Sequence, residues 1–533
     1  MEGPLLAQTT NAADDGTILK QIIFFGRHSI RSATSDTNGL DECSADPVPA
    51  FVGVPVGYLT PHGRQAAGLL GSYFHEYLIH EGLLTNDASS DLARSYFRAN
   101  TIERSYMTAA KFGAGLIPGA NIPVHTYYPT PINAVPTPTN ADPVIDPLLA
   151  GVATVDPARA LAEVQGVFGS GNIAPAYSGE LALISKVLYP PGTHPLYPGI
   201  SPTNNAPPGS FDPTTVPITL AISARLPPSL PPYDTGNVIS MGGLDSMVTA
   251  ADPFVMQYVD GFPTNDVGWG RLTLDELSQQ TRINTLQIEI AMRQPYLARV
   301  QSSSAASHIL RTMTQTISGT NLAGAFGDTN SQIHVIVSSD YYVGGLAGLL
   351  DAHWLLPGYQ PDFCPPGGTL VFELRQVRAT GQYLVRVFFT AQTFDQLRNL
   401  TRLTLAEPPA TMQLLIPGCS SPATNLDVSF ISFSNLLSHA ISLEYVQTFD
   451  QETPPGVLDP YAAVNPTNIT ASVSGKALTI AWPADHIGWI LQAQTNGLRS
   501  GQWFDLPGSD AVNAVVIPVN PANTSVFYRL RMR

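Results

Sequence analysis

Residues 21–33, QIIFFGRHSIRSA, constrain the fold more than any other stretch of the chain. Residues 22–25 are β-branched and aromatic, the composition of a buried strand. The run stops at Gly26 and delivers Arg27, His28 and then Arg31. In an open α/β sheet, polar residues just past such a strand face the crevice where ligands bind. A histidine flanked by two arginines there suggests a nucleophile inside an anion site. Guanidinium groups match phosphate oxygens bidentately, and imidazole can attack phosphorus and hold it covalently. On spacing alone, three fixed positions also suit a solvated turn with a few charges.

At 533 residues the chain is too long for one compact core, so two or three domains are expected. Charged residues make up only 13%, and 44 Gly with 47 Pro require many turns and ordered loops. Such a weakly charged surface is more typical of export than of the cytosol. The net charge of −15 argues against nucleic acid or an anionic membrane as partner, so any anion site must be built locally. Three cysteines, Cys43, Cys364 and Cys419, allow at most one bridge, with Cys43–Cys364 one pairing, and lack the spacing of a zinc site. No apolar stretch approaches the roughly 20 residues of a membrane span. The start, MEGPLLAQTTNAADDGT, shows no signal peptide. The chain is therefore either cytosolic or a secreted or periplasmic protein whose signal was removed, and composition favours the latter.

The order of elements predicts an α/β protein with a central, mostly parallel sheet flanked by helices. Residues 1–17 read as a polar tail. Thr60-Pro61 opens a helix whose Leu69, Leu70, Tyr73, Phe74 and Tyr77 share a face. A strand over 95–99 leads to Asn100-Thr101, read as the cap of a helix over 102–116. Residues 126–265 read as a mainly helix-and-loop cap insertion, proline-dense over 187–233 and with helical patches over 157–187. Helical periodicity returns over 273–292 and 296–317. A buried strand over 333–337 ends in Ser338-Ser339-Asp340, and 344–350 reads as helix or turn. A hairpin is expected from 369–373 and 383–390, and helices over 395–403 and 435–446. A linker over 451–466 precedes five strand-like runs, 469–473, 477–481, 489–495, 511–518 and 526–531. The domains expected are an α/β core over 18–125 and 266–450, the cap over 126–265, and a small all-β sandwich over 467–533.

Several segments, in order, resemble the histidine acid phosphatases, the phytase-like branch of the histidine phosphatase superfamily. They are FFGRHSIRSAT, GYLTPHGRQAAGLLGSYFHEYLIHEGLL, IERSYMTAAKFGAGLIPG, GWGRLT, HWLLPGYQPDFCPPGGTLVFELR and AQTFDQLRNLTRLTLAEPPA. The resemblance covers residues 18–447, patchily in the middle. It implies that His28 is the nucleophile and that Arg27 and Arg31 clamp the phosphate. Arg104, in IERSYMTA, matches the third clamp arginine, at a helix start that also favours an anion. Asp340 matches the proton donor for the leaving oxygen. Ser339 stands where the family has a second histidine that adds a donor to the phosphate site. Ser29 and Ala33 replace a glycine and a proline of the family motif, and Ser35 stands where phytases of this group carry a lysine.

These residues predict a phosphomonoester hydrolase, acid phosphatase or phytase-like, that forms a phosphohistidine and uses no metal or other cofactor. Its partner is a small phosphorylated substrate. The alternative is an impaired member that binds a phosphorylated or sugar ligand, motivated by Ser339. His62, His75 and His80 read as structural, His334 as a packed core histidine, and His353 with Trp354 as the pocket floor. In the C-terminal module Trp482, Trp489 and Trp503 either form its core or, exposed, contact carbohydrate.

Overall fold

The computed structural model describes residues 15–35, 40–127, 141–195, 207, 209–223, 238–420, 426–447, 469–483, 489–495, 503–509, 512–520 and 525–531. The expected linker, most of the expected N-terminal tail, and 196–206, 208 and 224–233 of the proline-dense stretch lie outside the described residues. The chain divides into two compact units, Met1–Pro454 and Pro455–Arg533.

Strand β1, Thr17–Arg27, is the inner strand of the larger unit. It is longer than the run over 22–25, so Arg27 is its last residue rather than a loop residue. Its side chains alternate between two cores, as a period of two requires. Ile22 and Phe24 enter one apolar cluster, and Ile23 and Phe25 enter the other. A strand buried on both faces needs helices on both, and the sheet has them. Helices α1 (Pro61–His80) and α2 (Glu103–Leu116) cover the first face, where Phe24 meets Phe74 and Phe112 edge-on at 4.6 and 5.3 Å.

The other strands are β2 (Ser95–Ala99), β3 (Val124–His125), β4 (Ile333–Ser338), β5 (Thr369–Val377), β6 (Tyr383–Ala391), β7 (Ala410–Gln413) and β8 (Val428–Ser429). Their order is β8-β6-β5-β1-β4-β2-β3, with β7 also on β6. β1 and β4 run parallel from Ile22 opposite Ile333 to Arg27 opposite Ser338, so both deliver their last residues to one end of the sheet. β4 with β2, and β2 with β3, are also parallel, while β5 is antiparallel to both β1 and β6. Five of the eight strands, β1, β2, β3, β4 and β6, therefore share a direction.

Within the described part of 126–265 are helices α3 (Pro157–Phe168), α4 (Ser178–Leu188) and α5 (Gly243–Val259), with a hairpin of Ala221–Ile222 and Ile239–Ser240. Helix α6 (Leu274–Ile288) starts in a capping box of Thr273 and Glu276 and ends in a π turn, Glu289–Arg293. Helices α7 (Pro295–Ser318) and α8 (Asp340–Leu349) pack on the second face of the sheet.

Some boundaries differ from expectation. α2 is not capped by Asn100 or Thr101: its N-cap is Ile102, without a side-chain bond. The Asn100 amide instead donates to the Val337 carbonyl at 3.1 Å and prolongs the β2–β4 ladder. The helix expected over 395–403 is only Phe394–Arg398, because Leu400 takes a left-handed φ of 49°. The helix expected over 435–446 is α9, Phe430–Ala440, started by the Ser429 hydroxyl. The three cysteines form no disulfide with one another. Cys364 turns its thiol toward the Gly368 carbonyl, 3.7 Å away, so the Cys43–Cys364 bridge does not form.

The second unit holds two three-stranded antiparallel sheets. One is Thr470–Ser474, Ala477–Ala481 and Ala514–Pro518; the other is Ile490–Gln494, Phe504–Asp505 and Phe527–Arg531. Ile480, Trp482 and Leu491 form the core between them. Trp489 and Trp503 are partly buried, with the Arg529 guanidinium 4.2 Å over the Trp503 ring. Among the described residues no helix is long and apolar enough to cross a membrane.

Candidate active site

The ends of β1 and β4 put the sequence-predicted residues side by side. The His28 amide donates to the Ser338 carbonyl at 2.9 Å, carrying the parallel ladder one step past β1. The chain then leaves the sheet as a loop tied down on both sides. Ser29 N donates to Thr108 Oγ1 at 2.9 Å, and Thr108 Oγ1 donates to the Arg104 carbonyl at 2.7 Å. Ser32 N donates to the Tyr58 carbonyl at 2.9 Å, and Gly57 N to the Ala33 carbonyl at 2.8 Å. Helix α1 seats directly on this loop: a Cβ at Gly63 would lie 2.2 Å from the Ile30 carbonyl, so only glycine permits the approach.

His28 is buried, with Nδ1 2.8 Å from the Ser29 carbonyl. A carbonyl only accepts, so Nδ1 carries the proton and Nε2 keeps its lone pair. Burial, then the charges of Arg104, Arg27 and Arg31, hold the imidazole well below its ordinary pKa. The result is a neutral, oriented imidazole among three cations.

Each arginine is held by partners within the protein. Arg27 Nη1 donates to the Cys364 carbonyl at 2.5 Å, and Nη2 lies 3.2 Å from Asp340 Oδ2. Arg31 Nη1 pairs with Asp252 Oδ2 of α5 at 2.9 Å and also donates to the Ser32 carbonyl at 3.1 Å. Arg104, in the first turn of α2, donates from Nη1 to the Gly57 carbonyl at 3.1 Å. Burial and neighbouring Arg31 push its guanidinium down to about 9, so it stays charged at neutral and acidic pH. The Nε–H groups of Arg27 and Arg31 are buried without a protein acceptor. A buried charged donor without an acceptor is expensive, which is the signature of a site made for an anion.

Asp340 is the first residue of α8 and is buried. Ser339 occupies the N-cap position in an extended conformation, but its side chain makes no capping bond. Its hydroxyl is not spent on the helix.

Two site residues escaped the sequence reading. Asp252 comes from the insertion and partners Arg31. Nothing in its surroundings, AADPF, marks it. Glu103 is fully buried, and its Oε2 accepts the Leu59 amide at 2.8 Å, fixing the segment that carries Gly57. Its place beside Arg104 was a signal, but a helix-start glutamate normally reads as a solvated residue. The remaining histidines sit elsewhere. His62 and His75 bond the Leu397 and Leu116 carbonyls, and buried His334 bonds the Phe326 carbonyl at 3.1 Å. His353 is not a pocket floor: it is exposed and pairs with Asp362 at 2.6 Å. Trp354 stacks on Phe389 and donates to the Phe363 carbonyl. Among the described residues no group of three or more His, Cys, Asp or Glu is arranged to hold a metal.

Chemically, a neutral imidazole ringed by guanidinium groups with a carboxyl beside it suits transfer of a small tetrahedral anion. The chain is similar to several known proteins. Residues 18–150 match the family described as the histidine phosphatase superfamily (branch 2). The chain is 27% identical over 439 residues to phytase AppA of Escherichia coli (strain K12), covering 82% of this chain and 95% of that protein. It is 24% identical over 421 residues to a glucose-1-phosphatase of Providencia rettgeri, covering 78% and 90%. Among solved structures, the apo form of Hafnia alvei phytase matches with a TM-score of 0.68 at 27% identity, covering 82% of this chain and 100% of that one. The phytase of Citrobacter braakii matches with a TM-score of 0.69 at 25% identity, covering 81% and 100%.

Proposed function

We propose that the chain, similar to members of branch 2 of the histidine phosphatase superfamily, hydrolyses phosphomonoesters through a phosphohistidine. The observation that carries the proposal is the pair of unspent, buried guanidinium donors beside the free Nε2 of His28.

Nε2 of His28 attacks phosphorus in line with the bond to the leaving oxygen. Arg27, Arg31 and Arg104 hold the equatorial oxygens and neutralise the charge that develops on them. The leaving oxygen takes a proton from Asp340, which must enter this step as the acid, so an acidic optimum is expected. Water then attacks the phosphohistidine, Asp340 takes back a proton, and phosphate leaves. The three guanidinium groups supply the charge, and the scheme calls on no metal.

Ser339 offers a neutral hydroxyl where the family has a second histidine. Loss of one such donor costs on the order of 10²–10³ in rate, so a lower turnover than that of a member with the histidine is expected. The relatives are named as hydrolases, and the reading of a ligand-binding, impaired member has no support of its own. The low charged fraction, 13%, supports a secreted or periplasmic location, and exposed Phe504 is the residue on which any carbohydrate contact of the C-terminal unit would rest.

Rapid acid-free quenching of the protein with a ³²P-labelled monoester tests the mechanism. The expected result is a base-stable, acid-labile phosphoenzyme that His28→Ala abolishes, with turnover falling by about 10³-fold or more. Turnover that persists in His28→Ala would overturn the proposal.

A further inference from the structure

Resting on that hydrolytic reading for its kinetic consequence, we infer that a buried water site lies behind His28, and that Ser29 and Gln392 position the nucleophile through it. A void of water size lies between the end of β1 and helices α1 and α2. Ala67, Leu70 and Phe112 form its apolar wall, and Ser29, Thr369 and Gln392 border it with polar side chains.

Two of these polar groups are orphans. Ser29 is 1% exposed and Gln392 2%, yet neither Ser29 Oγ nor Gln392 Nε2 has a hydrogen-bond partner among the described residues. They line one void without bonding each other. Gln392 follows β6 directly, and its backbone carbonyl accepts the Tyr359 hydroxyl at 2.6 Å, which fixes the residue in place. Thr369 Oγ1 donates to the Gly367 carbonyl at 2.9 Å, which spends its proton and leaves a lone pair. It lies against the end of β1, where a Cβ at Gly26 would be 2.6 Å away.

An amide N–H, a hydroxyl and an acceptor oxygen make a full set of partners for water. Gln392 Nε2 and Ser29 Oγ donate to it, and it donates to Thr369 Oγ1. Buried polar groups require such partners, and the void admits no larger ligand. The consequence falls on His28, because the Ser29 carbonyl accepts its Nδ1–H at 2.8 Å and so aims Nε2. Two direct bonds already hold that segment: Gly367 N donates to the His28 carbonyl at 3.0 Å, and Ser29 N to Thr108 Oγ1 at 2.9 Å. The water adds a third tie, from the Ser29 side chain to the end of β6. Ser29 stands where the resembled family has a glycine, so this tie is particular to the present chain.

A crystal structure of the full chain, at a resolution that shows ordered water, tests the site independently of activity. The expected result is a water within about 3.2 Å of Ser29 Oγ, Gln392 Nε2 and Thr369 Oγ1. A dry void, or a direct bond between Ser29 and Gln392, would overturn the inference. Steady-state kinetics with a phosphomonoester test the positioning. Ser29→Ala and Gln392→Leu are each expected to lower kcat by about tenfold and leave KM within about twofold. The double variant is expected to lose no more than either single one, because both act through the same water. Losses that multiply, losses carried by KM, or unchanged kcat in both variants would overturn the positioning role. Where a variant does not fold, the crystal structure of the native chain decides. A native chain that cleaves no monoester would overturn the hydrolytic reading instead, a result distinct from a dry void.

Discussion

The nucleophile proposed, His28, carries a consequence at the scale of single residues: buried among cations, it is held neutral. Burial and three arginines depress the pKa of His28, so acidification does not silence Nε2 at the ordinary histidine midpoint. The acid then needed is a separate group, and its importance depends on the leaving oxygen. Asp340→Asn is expected to lower kcat by about 10²–10⁴-fold for alkyl phosphates, and by much less for aryl phosphates, whose leaving group departs without a proton. An equal loss for both classes, measured across esters of graded alcohol pKa, would remove Asp340 from that role. Buried His334 shows the stability side of the same physics. Burial lowers its pKa from 6.5 to about 4, so the unfolded chain binds the extra proton as pH falls through that window. Stability present above pH 6.5 is lost progressively down to pH 4, by roughly 3 kcal/mol for this one group. His334→Gln should flatten that part of the curve of unfolding free energy against pH. An unchanged slope in urea melts would show that the titrating group lies elsewhere.

At the scale of elements, the site depends on how closely α1 and α2 approach. A Cβ at Gly71 of α1 would lie 2.0 Å from the Phe112 carbonyl of α2, so the two backbones touch. α2 carries Arg104 and Thr108, and α1 seats on the loop of His28; the contact thus sets the third arginine against the nucleophile. Gly71→Ala forces the helices apart and is expected to cost roughly 1–3 kcal/mol of stability. It should also lower kcat more than it raises KM for a monoester, because the displaced arginine serves the transition state. A fully active variant with wild-type thermal stability would argue that the helices yield freely. The N-caps show which element signals are trustworthy. Thr60 and Thr273 cap their helices through local bonds, as their residue types announce. Asn100 carries the same announcement but gives its amide to β4, because the ladder beside it offers a partner that no local pattern reveals.

At the scale of the whole molecule, all the residues assigned to the chemistry lie in the unit Met1–Pro454. A chain ending at Pro454 is expected to unfold cooperatively and to keep its kcat/KM for a monoester within about twofold. Loss of activity in that shortened chain, shown folded by circular dichroism, would mean that Pro455–Arg533 contributes to the site. The C-terminal sheets themselves follow from short strand runs with turns between them. The strand Phe504–Asp505 was not legible, since two residues carry no period.

Much of the sheet was written in local pattern, since β-branched and aromatic runs specify β1 and β4. RHxxR by itself reads equally as an anion site or a solvated turn, and the roles proposed for His28, Arg104 and Asp340 came from the resemblance of several segments, taken in order, to the histidine acid phosphatases. The strand runs are legible because backbone conformation and side-chain type act over one or two turns of chain. Tertiary structure alone decided the rest. Parallel pairing of β1 with β4 brings His28 beside Ser338 across more than 300 residues of sequence, and α5 brings Asp252 to Arg31. Neither the burial of Glu103 nor the orphaned polar groups of Ser29 and Gln392 has a local signature, because burial and an absent partner are properties of the space around a group rather than of the group itself.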